Sequence, residues 1–219
     1  MKFYFAGAEG EFKHLLKGES VLTSYYYIRK KKEQFFDFTM EDVLLDSGGF
    51  SAQTIGIDID VKDYADFINK HKVKLAFELD IGGRKQTLKN REYLLKETNA
   101  KIIPIYHIQE YEQKDYQYLF DMMDNFDYIS IGGIAGSGKN DAKNMRFLDY
   151  VFNQVRDKNT IHGLGVVGVK PMLRYPFYSV DATSWHNPAR WGQHFKFENG
   201  VLKRIASTTP NTYRFMDKE

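Results

Sequence analysis

The sequence predicts an α/β fold, a compact (β/α)8 barrel of the TIM type finished by a C-terminal β-hairpin. Short apolar runs recur along the chain, bounded by Gly or Pro, at Lys2–Ala6, Val43–Asp46, Leu75–Asp80, Lys101–Ile108, Tyr128–Ile134, Ile161–Val166 and Phe177–Asp181. Helical patterns lie between most of them. Strands that alternate with helices need crossover connections and so build a parallel sheet. Seven or eight such units in a chain of this length close a barrel, with an open doubly wound sheet as the alternative.

Taken in order, Lys2–Ala6 is the first strand and Val43–Asp46 the next. The segment Val61-Lys-Asp-Tyr64-Ala65-Asp-Phe-Ile68 carries apolar residues at i, i+3, i+4 and i+7, the stripe of an amphipathic helix. Weaker stripes of the same kind cover 91–98, after the strand Leu75–Asp80, and 115–124, after the strand Lys101–Ile108. Tyr128–Ile134 runs into glycines, and Leu148, Val151, Phe152 and Val155 mark a helix within 142–157. After the last two strands, the residues around Asn199-Gly200 alternate from His194 to Ile205, a strong hairpin signal. No repeat, low-complexity tract or linker divides the chain, which reads as one domain over 1–219.

Composition narrows the function. The 219 residues are 42% hydrophobic and carry 31 Lys+Arg against 29 Asp+Glu, a formal charge of +2, so any nucleic-acid binding rests on local patches. The absence of cysteine excludes disulfides, thiolate metal sites, iron–sulfur clusters and a cysteine nucleophile. The N-terminal MKFYFAGAEGEF meets Glu9 and Glu11 too soon for a signal peptide, and no apolar run approaches the ~20 residues of a membrane span. The expectation is a cytoplasmic protein with no membrane association.

In a parallel barrel the functional residues collect at the C-terminal ends of the strands. That rule selects Asp46 with Ser47-Gly48-Gly49, Glu78 and Asp80, Tyr106 and His107, Gly132 and Gly133, His162 to Gly165, and Asp181 with Thr183, Ser184 and Trp185. Carboxylates beside buried residues must find partners or shift their pKa. A pair of them suits a reaction in which one attacks carbon and the other moves a proton. The competing reading makes them helix caps or ion-pair partners. Gly133 to Lys139 matches G-x-x-x-x-G-K, but Asn140 stands where a phosphate-cradling loop needs Ser or Thr to hold magnesium. Gly132-Gly133 then either lets a flat ligand approach the strand end, with backbone N–H groups as donors, or serves tight strand packing.

These residues carry a resemblance. Leu45-Asp46-Ser47-Gly48-Gly49-Phe50 resembles the D-S-G-G-F/Y signature of the tRNA-guanine transglycosylases, the queuine tRNA-ribosyltransferase superfamily, and Ile131-Gly132-Gly133-Ile134-Ala135 resembles their G-G-L-A segment. His162-Gly163-Leu164-Gly165-Val166 is similar to the family's M/L-G-V-G strand, and Ser179-Val-Asp181-Ala-Thr-Ser-Trp185 sits where the nucleophilic Asp lies. The matches occur in the family's order across 45–185. They imply a (β/α)8 barrel that exchanges guanine in a polynucleotide for a 7-deazaguanine. By that resemblance Asp181 is the nucleophile, Asp46 the general acid/base, and Asp80, His107, Gly132, Gly133, Ser47 and Leu164 contact the base. With no cysteine and a short chain, the family's zinc-binding subdomain is missing, and Glu78-Leu-Asp80 departs from its F-D-E order. In these departures the chain resembles compact phage and bacterial DNA-guanine transglycosylases, which insert preQ0-type bases into DNA. The resemblance implies no cofactor or metal. It implies DNA or tRNA and a free 7-deazaguanine as partners, with a further protein for specificity left open.

Tyr25-Tyr26-Tyr27-Ile-Arg29-Lys30-Lys31-Lys32 interleaves aromatics with cations, and Trp185, Arg190, Trp191, Lys196, Lys203 and Arg204 gather near the C-terminus. Lys30, Lys31, Trp185 and Arg190 are accordingly the candidate nucleic-acid contacts. The alternative for the first group is a helix with a tyrosine core face and a solvated basic face. Two other functions compete: a metal-dependent hydrolase using His107, His162 and Asp181, and a non-catalytic nucleic-acid-binding barrel.

Overall fold

The computed structural model describes residues 1–7, 16–29, 42–134, 141–166, 168–185, 193–198 and 201–206. The chain divides into two compact units, Met1–Ala182 and Thr183–Glu219. Sequence alone predicts one domain over both.

The first unit is built on β1 (Lys2–Ala6), β2 (Ser20–Ser24), β3 (Asp42–Asp46), β4 (Leu75–Phe77), β5 (Lys101–Ile103), β6 (Ile105–His107), β7 (Tyr128–Gly132), β8 (Thr160–Gly163) and β9 (Ser179–Ala182). They form one sheet in the order β5-β4-β3-β2-β1-β9-β8-β7-β6, with parallel pairings throughout. The two ends of that order, β5 and β6, flank a single residue, Pro104. The sheet is therefore a nearly closed, all-parallel barrel. Proline has no N–H to give to the ladder, which breaks the run Lys101–Ile108 in two, yet the Pro104 carbonyl still accepts from Ser130 N at 2.8 Å.

Most strands fall where the apolar runs predict. β2 does not, because its two apolar residues, Val21 and Leu22, are flanked by the hydroxyl residues Ser20, Thr23 and Ser24, although all five are buried between β1 and β3.

Helices α1 (Tyr25–Ile28), α2 (Gly49–Thr54), α3 (Val61–Lys70), α4 (Arg84–Glu97), α5 (Ile108–Glu112), α6 (Tyr116–Asn125), α7 (Asp141–Gln154) and α8 (Val169–Arg174) lie between the strands in sequence. The stripe in α3 buries Tyr64, Ala65 and Ile68, and the Asp60 side chain caps the helix by accepting from Lys62 N at 2.8 Å. Helix α4 begins seven residues before the predicted 91–98, since its buried face is polar: Thr87, Asn90 and Arg91 precede Leu94.

Two cores follow from the period of two along each strand. Tyr4, Ala6, Leu22, Leu44, Phe77, Ile103, Ile105 and Tyr128 pack together inside the barrel. Their neighbours on the strands face the helices, where Ile129, Ile131, Ile161 and Val180 join Leu119, Met123, Phe147 and Val151 of α6 and α7. The inward set thus includes the last residue of several strands. Among the described residues, no helix is long and apolar enough to cross a membrane.

In the second unit, β10 (Gln193–Glu198) and β11 (Val201–Ala206) pair antiparallel, with Glu198 opposite Val201 and Lys196 opposite Lys203.

Candidate active site

The alternation that puts Leu44 in the barrel core also points Asp46 inward, two residues later, at the C-terminal end of β3. The same rule places His107 two residues after Ile105 on β6, Gly132 at the end of β7, and Asp181 two residues after Ser179 on β9. Asp80 follows β4 in the adjoining loop. The barrel therefore brings Asp46, Asp80, His107 and Asp181 to one mouth.

Their surroundings differ. Asp181 is 5% exposed, and its Oδ1 accepts from Gly165 N at 2.8 Å and pairs with His162 Nε2 at 3.1 Å. Asp46 accepts from Gly48 N at 3.0 Å. Burial, reinforced by the negative charges of Asp80 and Asp181, pushes its carboxyl up to about 7, while hydrogen bonds from Ser24 and Gly48 act the other way. Asp46 can therefore carry a proton near neutral pH. Asp80 is tied to His107 through Oδ2 and Nε2 at 2.9 Å. Burial of His107 works against its charge, but the Asp80 hydrogen bond and charge, with Glu110 and Glu78, raise its pKa above the ordinary value.

The turn after β3 needs its glycines. Gly48 has φ +76°, and a Cβ there would lie 2.3 Å from the Tyr26 Cβ, so the chain can fold back over α1 only without a side chain. Ser47 is fully buried and its hydroxyl accepts from Gly49 N at 3.3 Å, which engages it in the turn. At the end of β7, a Cβ on Gly132 would lie 2.9 Å from His107 Nδ1, so this glycine makes room for the imidazole beside Asp80. Gly133 follows and is exposed. Leu164 is partly exposed, packs against the barrel-interior cluster and donates its N–H to Ile131 O at 2.9 Å.

No protein-family model matches the chain, and no curated protein matches it. The site must be read from its own geometry.

Glu78, also at a strand end, is not part of the mouth. It faces α4 with 0% exposure, where Arg91 Nε and Nη2 donate to it at 2.7 and 3.0 Å and Ile105 N at 2.6 Å. For Glu78 the ion-pair reading holds. Among the described residues, no group of three or more His, Asp or Glu side chains is placed to hold a metal ion. Both nitrogens of His162 are engaged, Nδ1 with Ser179 Oγ at 2.6 Å and Nε2 with Asp181, and His107 spends Nε2 on Asp80, so the two imidazoles and Asp181 do not converge on one point.

Of the predicted nucleic-acid contacts, Trp185 is partly exposed and belongs to the second unit. Lys30, Lys31 and Arg190 lie outside the described residues, as do the Lys139 and Asn140 of the glycine-rich segment. In α1, Tyr25 and Ile28 are buried and Tyr27 is exposed, the tyrosine core face, while the Arg29 guanidinium sits 4.7 Å from the Tyr26 ring centroid. One residue escapes a reading based on polar groups. Phe50, the first residue past Gly49, is 83% exposed.

Proposed function

We propose that the protein is a guanine transglycosylase acting on DNA, exchanging guanine for a preQ0-type 7-deazaguanine, with Asp181 as nucleophile and Asp46 as general acid/base. The observation that carries the reading is the contrast between two carboxyl groups at one barrel mouth. Asp181 is held by two hydrogen bonds on one oxygen, and Asp46 is tuned to about 7. An acid able to carry a proton near neutrality, beside a carboxylate held in place by hydrogen bonds, suits the division into proton transfer and attack on carbon.

The chemistry balances as two displacements. Asp181 attacks C1′ of the target nucleotide, a C1′–O bond forms, the C1′–N9 bond breaks, and guanine leaves with the electron pair while protonated Asp46 supplies its proton. The incoming 7-deazaguanine then gives its N9 proton to the Asp46 carboxylate and attacks C1′, and the bond to Asp181 breaks. No oxidant, metal or cofactor enters either step. Asp80 and His107 offer an acceptor and a donor to the edge of the base, Gly132 makes room for the His107 imidazole, Gly133 offers its exposed backbone at the rim, and Leu164 and Phe50 supply apolar contact. The target base must leave its stack to reach the mouth, at a cost of a few kcal/mol that stacking and backbone contacts return. Those contacts are assigned to Trp185, Arg190, Lys30 and Lys31.

The fold agrees with this reading when β5 and β6 are counted as one strand interrupted at Pro104, which gives eight positions around a (β/α)8 barrel, followed by β10 and β11 as the C-terminal hairpin. The same chemistry on tRNA is the second form of the reading. Radiolabelled guanine supplied with plasmid DNA or bulk tRNA tests both. Label enters DNA with the wild type and not with Asp181→Ala if the proposal holds, enters tRNA alone if RNA is the polymer, and enters neither if the protein is not a base-exchange enzyme.

A further inference from the structure

Behind Asp181 runs a buried chain of hydrogen bonds that the two displacements do not use. Tyr128 OH lies 2.6 Å from Ser179 Oγ, Ser179 Oγ lies 2.6 Å from His162 Nδ1, and His162 Nε2 lies 3.1 Å from Asp181 Oδ1. Three adjacent strands supply it, Tyr128 from β7, His162 from β8, and Ser179 and Asp181 from β9. His162 and Ser179 are fully buried and Tyr128 nearly so. The His162 ring packs against Tyr4 and Phe77, with centroids 6.1 and 5.2 Å away.

Donor counting fixes the direction of the chain. Burial pushes the Tyr128 hydroxyl up to about 12, so it keeps its proton across the working range. A buried phenol donates where it can, and Ser179 Oγ is its hydrogen-bond partner among the described residues. Ser179 then donates onward to Nδ1, and the imidazole carries its proton on Nε2, facing the carboxylate. We infer that His162 is the positioning residue of Asp181, locked as its Nε2–H tautomer by the Tyr128–Ser179 hydroxyl chain so that Oδ1 is held and Oδ2 is presented for attack.

The inference rests on the transglycosylase reading for the word attack, and on geometry alone for the tautomer. Both hydrogen bonds to Asp181 among the described residues fall on Oδ1, from His162 and Gly165 N, so the two oxygens are not equivalent. A nucleophile held in one orientation avoids the loss that free rotation of the carboxylate would bring. The arrangement resembles in logic an acid, imidazole and hydroxyl in series, but with the roles reversed: the carboxylate reacts and the hydroxyls orient. No proton needs to leave the chain during the reaction.

The test has two arms on the full-length protein. In the first, nitrogen-labelled histidine and NMR report the tautomer of His162, assigned by comparison with His162→Gln. The expected pattern is Nε2 protonated and Nδ1 an acceptor in the wild type, turning into a mixture in Ser179→Ala and Tyr128→Phe. A proton on Nδ1, or an unchanged pattern in both variants, overturns the chain. In the second arm, steady-state base exchange is measured with the same proteins and with His162→Leu, after thermal unfolding shows that each folds. His162→Leu is expected to lower kcat by about 10²-fold with KM little changed, His162→Gln, whose amide can still donate to Oδ1, to retain more, and Tyr128→Phe to lose several-fold. Wild-type kcat in His162→Leu overturns the positioning role. If the wild type exchanges no base in either polymer, the functional reading fails, and the NMR arm still decides the hydrogen-bond chain.

Discussion

Asp46 titrates well above an ordinary carboxylate because the barrel mouth desolvates it beside two other acids. Its ordinary value is 3.8 and its folded value about 7, so between those limits the unfolded chain is ionised while the folded protein keeps the proton. The folded state then holds more protons than the unfolded one, and stability falls as pH rises from about 4 to 7. His107, raised by Asp80, acts in the same sense: its pairing helps fully below its unfolded pKa and is lost as pH climbs through the folded one. Urea unfolding midpoints are therefore predicted to fall from pH 5 to pH 8. Asp46→Asn, neutral at every pH, is predicted to flatten much of that slope and to be more stable than the wild type at pH 8 by on the order of 2 kcal/mol, while losing base exchange. A slope unchanged by Asp46→Asn would contradict the shift. Gly132→Ala probes the neighbouring contact, since its Cβ would sit 2.9 Å from His107 Nδ1. We predict a stability loss of about 1–3 kcal/mol from overpacking and a weaker hold on the base, read as a rise in KM for the free base.

At the scale of single elements, β4 and α4 are fastened by a group that the sequence offers as catalytic. Glu78 follows the strand Leu75–Phe77 just as Asp46 ends β3, but it falls on the helix-facing side, where Arg91 meets it with two hydrogen bonds and Tyr118 accepts from Arg91 Nη2 at 2.5 Å. Removing one partner leaves a buried charge alone. Arg91→Met is predicted to cost about 3–5 kcal/mol in urea unfolding, and the double replacement Glu78→Leu with Arg91→Met to recover most of it. The same side-facing argument explains which elements are legible in the sequence. α3 is legible because its buried face is apolar, with Tyr64, Ala65 and Ile68 in register. The first turns of α4 are hidden because Asn90 and Arg91 fill its buried face, and β2 is hidden because Ser20, Thr23 and Ser24 are buried without being apolar. The break at Pro104 is visible in the sequence as a proline, but its consequence, that β5 pairs with β4 and β6 with β7, depends on neighbours far along the chain.

For the whole molecule, the barrel is what turns scattered strand ends into one site. Asp46 and Asp181 were readable because each ends an apolar run and a parallel barrel gathers such ends at one mouth. The support behind Asp181 was not, since Tyr128 and Ser179 are 51 residues apart and meet only when β7, β8 and β9 lie side by side. Likewise the tuning of Asp46 needs Asp80 and Asp181 in space, where the sequence shows only three separate acids. The division at Ala182 lies just past Asp181, so Asp181, the proposed nucleophile, belongs to the first unit and Trp185 to the second. The central claim concerns a covalent bond between that nucleophile and a nucleotide, and one measurement meets it directly. Protein mixed with end-labelled guanine-containing DNA, then denatured and digested, is analysed by mass spectrometry for a nucleotide on the peptide that contains Asp181. The account predicts an adduct on Asp181 in the wild type that disappears in Asp181→Asn and is released when a 7-deazaguanine is added before denaturation. An adduct on another residue, or base exchange in solution that survives Asp181→Asn, would contradict it.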